Sequence, residues 1–190
     1  MTMGQQIRQQ KSHNLSKDYC IFHQSNQGIA ATRNRGISHA TGEFVAMLDS
    51  DDVWTIDKLQ IQVDYLQKNP DVGLVFAHEK FFFEENMEKP TWIKEDLWQE
   101  SHPAYVPSTL LARKSVFENV GGFDSNFKRS PETDWLFRVK DAAIPIGIIP
   151  EVLLMRRIHD QNLSYASHDM MKERMKILRA SVNRQREKGF

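Results

Sequence analysis

The chain has 190 residues, 40% hydrophobic and 26% charged, which suits one soluble domain with a buried core and excludes a multi-domain machine or a disordered chain. Its 25 Lys and Arg balance 25 Asp and Glu, so no global field gathers polyanions, and nucleic acid is excluded as an expected partner. The single cysteine, Cys20, excludes an internal disulfide and fits a reducing, cytoplasmic compartment.

Residues 1–23 read as a polar leader without a signal-peptide core, and no window approaches the roughly 18 apolar residues of a membrane span. The segment Ile29 to His39 reads as a helix with Gly28 before it and Gly42 in the turn after it. Glu43 to Leu48 is a short apolar run of the kind found in a strand covered on both faces, and it ends abruptly in Asp49-Ser50-Asp51-Asp52. Thr55 is placed to cap the next helix, whose Ile56, Leu59, Val63 and Leu66 form one stripe and which must stop before Pro70. Val72 to Phe83 reads as a strand, residues 84–106 as a long loop, and Ser108 to Ala112 as a further strand. Lys114 to Val120 is a short helix closed by Gly121-Gly122, Thr133 to Asp141 another helix, and Ile146 to Leu154 the last strand.

Residues 166–190 read as a basic amphipathic helix with Met171, Met175, Leu178 and Val182 on one stripe. From residue 172 onward, seven Lys and Arg face two Glu, a balance of +5. Such a stripe either packs on the domain or lies on an anionic membrane, so peripheral contact with the inner face of a membrane is an expectation of this segment. Strands alternating with helices predict an α/β sheet.

The acidic cluster carries the first chemical signal. Ligands in open α/β sheets bind outside the carboxyl ends of strands, where Asp49, Asp51 and Asp52 stand. Three carboxylates within four residues repel one another unless a hard divalent cation and a phosphate share the site. A helix cap with acidic first-turn residues accounts for Asp52 or Asp57 but not for Asp49 and Asp51 together. A calcium-binding EF-hand is excluded, because Trp54 and Gln60 occupy the positions that need Gly and Glu.

Asn26-Gln-Gly28, Ala31-Thr-Arg33-Asn34-Arg-Gly36, Ala40-Thr-Gly-Glu43, Leu48-Asp-Ser-Asp-Asp-Val-Trp54 and Lys58-Leu59 come in an ordered series. Gly121-Gly-Phe-Asp124, Glu132-Thr-Asp134, Arg138 and Arg157-Ile-His159 with Asn162 and Ser164 follow it. Together they resemble family 2 glycosyltransferases of the GT-A fold over residues 24–165. The resemblance implies a GT-A-like, Rossmann-like mixed sheet flanked by helices. It implies transfer of a sugar from a nucleoside-diphosphate sugar, with inversion, to a carbohydrate or lipid-linked acceptor hydroxyl, aided by Mn²⁺ or Mg²⁺. Asp49-Ser50-Asp51 matches the family's D-x-D motif, with Asp51 and Asp49 as metal ligands and His159 as a further one.

The same resemblance implies donor contacts from Asn26, Gly28, Arg33, Asn34, Asp49 and Asp52. The catalytic base falls on Glu132, with Asp134 as the alternative; the usual adjacent Glu-Asp pair reads Pro131-Glu132 here. The strand-helix-strand unit that opens the family domain has no counterpart before Gln24. A domain truncated at its N-terminus, with open sheet edges prone to self-association, is therefore expected. A catalytically inactive remnant acting as a binding module is one rival reading. A haloacid dehalogenase-type phosphohydrolase with Asp49 as nucleophile is the other, though the downstream acidic pair it needs is not found.

Overall fold

The computed structural model describes residues 20–83, 100–159 and 167–189, without the side chains of 167–169. Most of the leader, residues 84–99, Asn162 and Ser164 lie outside the described residues. The elements in chain order are α1 (Ile29–His39), β1 (Phe44–Ala46), β2 (Val53–Trp54), α2 (Lys58–Lys68) and β3 (Leu74–Phe83). After them come β4 (His102–Ala104), a 3-10 turn (Pro107–Thr109), β5 (Leu111–Arg113), α3 (Lys114–Val120), α4 (Pro131–Asp141), β6 (Ile146–Ile158) and α5 (Ser167–Glu187).

Backbone chemistry explains several of these boundaries. Gly28 (φ 88°) and Gly121 (φ 80°) take left-handed conformations that other residues avoid, and they punctuate α1 and α3. Pro131 opens α4, where its missing N–H costs nothing; Glu132 and Asp134 lie in the first turn and Arg138 and Lys140 in the last, in line with the helix dipole.

The sheet runs β1-β5-β3-β6-β2, with β4 paired to β3 beside β5. Only the β3–β6 pair is parallel among these strands. Alternation along β3 builds two cores. Leu74 and Phe76 face one that contains Val116, Phe117, Phe123, Trp135 and Val139. Val75 and Ala77 face the other, with Leu66, Leu111, Ile149 and Leu153. The mixed α/β architecture is as expected, and β1 lies at an edge with both faces partly covered.

Six local expectations are corrected. Thr55 does not cap α2: its carbonyl accepts the Lys58 N–H, and its hydroxyl is buried without a partner among the described residues. The inward face of α2 keeps only Leu66 and, in part, Val63 of the predicted stripe: Ile56 is 97% exposed and Leu59 is exposed, while Lys58 and Gln62 are fully buried beside Leu66. Lys58 Nζ donates to Gln62 Oε1 (2.5 Å) and sits 4.3 Å from the Trp54 ring centroid, while Gln62 Nε2 donates to the Thr109 carbonyl (2.7 Å). Polar groups that satisfy one another can occupy a core face that a hydropathy pattern assigns to aliphatic side chains.

The stretch 84–106 contains β4, paired with Ala77–Glu79 of β3. The predicted strand from Ser108 begins instead with a 3-10 turn, and β6 runs on to Ile158. Finally, the stripe of α5 does not pack on the domain. Met171, Met175, Leu178 and Val182 are exposed, and the helix docks through Ile177 and Ser181 against α4.

Candidate active site

β1 ends at Ala46, and the chain turns at Asp49–Asp52, where the Asp52 N–H bonds the Asp49 carbonyl (3.2 Å), before re-entering the sheet as β2. The pairing of β2 with Leu154 and Met155 lays the turn alongside the end of β6. There the Arg157 N–H donates to Asp52 Oδ1 (3.3 Å), Arg157 Nε to the Asp51 carbonyl (3.1 Å), and His159 Nε2 lies 2.9 Å from Asp51 Oδ2.

Beneath the turn, the fully buried Ser108 takes the Asp49 N–H on its hydroxyl (3.1 Å), bonds the Asp52 side chain and accepts Trp54 Nε1–H on its carbonyl (2.7 Å). Burial raises the pKa of Asp52, against the lowering effects of Ser108 and Arg156.

Arg33 enters from the first turns of α1. Its guanidinium donates to both carboxylate oxygens of Asp49 (2.9 and 3.1 Å) and reaches Glu132 Oε2 at 3.5 Å. The Arg33 side chain is only 10% exposed, so these pairs are partly shielded from solvent. Burial raises the pKa of Glu132; Arg33 and Arg174 oppose the rise and Asp49 adds to it.

The result is one cleft of about 670 Å³. Arg33, Asp49, Asp51, Asp52, Glu132 and His159, six residues singled out from the sequence, all line it. Others do not. Asn34 turns to the loop after α3 and exchanges two 2.7 Å hydrogen bonds with the Phe123 backbone. Asn26 accepts the Gly28 N–H in a local turn (3.0 Å), and Gly28 starts α1. Asp134 is 3% exposed and accepts Arg138 Nε–H (2.8 Å). The sequence reading missed Arg156, Arg174, the Lys128–Ser130 loop and the Tyr105–Pro107 segment, all in the wall of the cleft. Only the long-loop reading of 84–106 pointed toward one of them.

Among the described residues, no three His, Cys, Asp or Glu side chains gather as a ready-made metal centre. Asp51 and His159 nevertheless present an oxygen and a nitrogen donor to one wall. That set fits a cation that takes its remaining ligands from a substrate diphosphate and water.

The model of the family described as glycosyl transferase family 2 matches residues 5–127, about two thirds of the chain. The chain belongs to that family. The match begins inside the segment read as a leader. An uncharacterized glycosyltransferase of Rickettsia typhi is 25% identical over 167 residues, covering 81% of this chain and 52% of the relative. One of Methanocaldococcus jannaschii is 27% identical over 151 residues, covering 75% and 51%. Glycosyltransferase membership sets the phosphohydrolase alternative aside.

Among solved structures, Staphylococcus aureus TarS in complex with UDP-GlcNAc superposes with a TM-score of 0.66 at 15% identity, over 96% of this chain and 54% of that one. TarS in complex with UDP gives 0.57 at 16%, over 82% and 45%. The fold is that of GT-A glycosyltransferases, and the chain spans about half the length of each of these relatives and solved structures.

Proposed function

We propose that this chain moves a sugar from a nucleoside-diphosphate sugar to an acceptor hydroxyl with inversion at the anomeric carbon, Glu132 acting as general base. The observation that carries the reading is the convergence of Glu132 and the Asp49–Asp52 turn on one cleft, bridged by Arg33. A base for a hydroxyl works best with a pKa nearer neutrality than an ordinary carboxylate has, and burial moves Glu132 in that direction. Arg156 and Arg174 bring positive charge to the same cleft, as a diphosphate requires. Asp51 and His159 are the residues that would hold Mn²⁺ or Mg²⁺, with Asp49 beside them. When bound, the cation offsets the charge that grows on the diphosphate leaving group.

The test is calorimetry of the whole chain with UDP, GDP and dTDP, each with Mn²⁺ or with chelator, followed by nucleotide release from UDP-GlcNAc, GDP-mannose and dTDP-glucose. Asp51→Ala is expected to abolish metal-dependent binding. Glu132→Gln is expected to keep binding and to lose about 10²- to 10⁴-fold in rate. An active Glu132→Gln enzyme overturns the base assignment. A folded chain without metal-dependent nucleotide affinity supports the binding-module alternative.

The acceptor, in this reading, is presented at a membrane. No described helix is long and apolar enough to cross one. Met171, Met175, Leu178 and Val182 nonetheless form an exposed stripe along α5, flanked by the exposed Lys172, Lys176, Arg179 and Arg186. A basic, apolar helix face of this kind suits an anionic lipid surface. Phosphatidylglycerol vesicles are expected to sediment the chain and phosphatidylcholine vesicles to leave it free. Retention of vesicle binding by Met175→Gln/Leu178→Gln would count against this face.

A further inference from the structure

The opposite face of α5 reaches into the cleft wall. Glu173 accepts three consecutive backbone N–H groups, those of Lys128 (3.0 Å), Arg129 (2.9 Å) and Ser130 (3.1 Å). These residues form the loop that leads into α4, and all three line the cleft. Ser130 is the N-cap of α4 and makes no side-chain cap bond of its own. Its N–H is the last one clamped, and Glu132 follows two residues later. Backbone donors to a carboxylate belong to the stronger class of hydrogen bond, and three on one side chain fix a loop that has no regular secondary structure.

The far end of α4 is tied to the same helix. The Asp141 carboxylate accepts Ser181 Oγ–H (2.7 Å), Arg184 Nε–H (2.7 Å) and Gln185 Nε2–H (3.1 Å). α5 thus holds α4 at both ends, and only the Glu173 end adjoins the site.

We propose that Glu173 is a positioning residue for the reaction: by clamping Lys128–Ser130 it sets where the Glu132 carboxylate stands relative to Arg33 and Asp49. This rests on the reading of Glu132 as base. Displacement of a reacting group by about 1 Å costs on the order of 10²-fold in rate, while nucleotide binding depends on other residues of the cleft.

The experiment compares Glu173→Ala, Glu173→Gln and Asp141→Asn in the full chain. It measures melting temperature, calorimetric nucleotide affinity, nucleotide release from the three donors named above, and amide exchange at residues 128–130. Glu173→Ala is expected to lower kcat by about 10²-fold, leave the dissociation constant within about twofold and speed exchange at 128–130. Glu173→Gln, which keeps one acceptor oxygen, should fall between it and the wild type, and it carries the comparison if the alanine variant does not fold. Asp141→Asn should lower the melting temperature and spare kcat. Equal kcat loss in Asp141→Asn and Glu173→Ala would make α5 a general brace and overturn the inference. Unchanged exchange at 128–130 in Glu173→Ala would overturn it without reference to activity. Wild-type kcat in Glu173→Ala with an inactive Glu132→Gln refutes the clamp alone, whereas an active Glu132→Gln refutes the base assignment beneath it.

Discussion

Replacing Gly122 with alanine tests how the Gly-Gly-Phe loop serves the site. A Cβ there would lie 2.4 Å from Asn34 Oδ1 and 2.9 Å from its Cγ, so something must move. The loop backbone is poorly placed to yield. Arg138 donates to the Gly122 carbonyl (2.6 Å) and, by a very short bond, to that of Val120, while Trp135 Nε1 donates to the Gly121 carbonyl (3.1 Å). Asn34 must therefore swing away, breaking both of its bonds to the Phe123 backbone. Two partly buried hydrogen bonds, with Phe123 N–H and C=O left unpaired, amount to about 2–4 kcal/mol. The smaller entropy of the unfolded alanine chain returns about 0.4–1 kcal/mol. A net loss near 2 kcal/mol corresponds to a melting point lower by roughly 4–8 °C for a chain of this size.

Urea denaturation followed by tryptophan fluorescence gives the number, and a double-mutant cycle gives the cause. Asn34→Ala should cost a similar amount, and Gly122→Ala made in that background should be nearly free, because the atom it strikes is gone. Additive losses would refute the mechanism. Because Arg33 stacks over the Phe123 ring at 5.8 Å and adjoins Asn34, Gly122→Ala should also weaken nucleotide binding, whereas a change confined to stability would uncouple the loop from the site.

Lys58 gives a pH test. Burial lowers its pKa to about 7, so between pH 7 and 10 the unfolded chain carries a proton that the native chain lacks, and native stability rises with pH by up to about 1.4 kcal/mol per unit. The stability gap between wild type and Lys58→Met should change across that window and hold constant below it; parallel curves would show a lysine charged throughout. For Glu132, the acid side of the kcat profile should fall above the ordinary carboxylate range, and Arg33→Met should push it higher, because Arg33 lowers that pKa. An unmoved limb would place the titrating group elsewhere. Asp134→Ala should destabilise by about 3 kcal/mol through loss of the buried pair with Arg138, while the folded fraction binds nucleotide normally. Inactivation at full stability would return Asp134 to the candidate bases.

The parts legible in the sequence are those settled within a few residues. α1 and α3 have the bounds read from their flanking glycines, and the Asp49–Asp52 cluster announces itself by charge density at the end of an apolar run. The misread helix faces share one cause. On α2, Lys58 and Gln62 are buried because Thr109, distant in sequence, accepts the Gln62 amide and Trp54 covers the ammonium; Ile56 and Leu59 are then left outside. On α5, the docking face is chosen by Asp141 and the Lys128–Ser130 loop, so the apolar stripe is not the buried one. Periodicity reports which face is greasy, and it reports the buried face only when no polar partner competes for it. Arg156, Ser108 and Glu173 escaped notice for the same reason, since each acts through a partner more than 40 residues away.

Ser108 shows why the acidic turn needs more than its own residues. Asp49, Asp51 and Asp52 crowd one strand end, and Glu132 adds a fourth carboxylate to the same cleft. Left to themselves, these groups would splay apart or take up protons. The fold answers each separately: Arg33 lies between Asp49 and Glu132, His159 lies against Asp51, and Ser108 and the Arg157 N–H hold Asp52. Three of these partners come from α1, the 3-10 turn and the end of β6, which meet only when β5, β3 and β6 pair in register. The cluster is thus held as separated pairs around an open cleft. The Asp49–Asp52 turn is a loop by secondary structure, yet it is placed by the rigid sheet, as the proposed donor site requires.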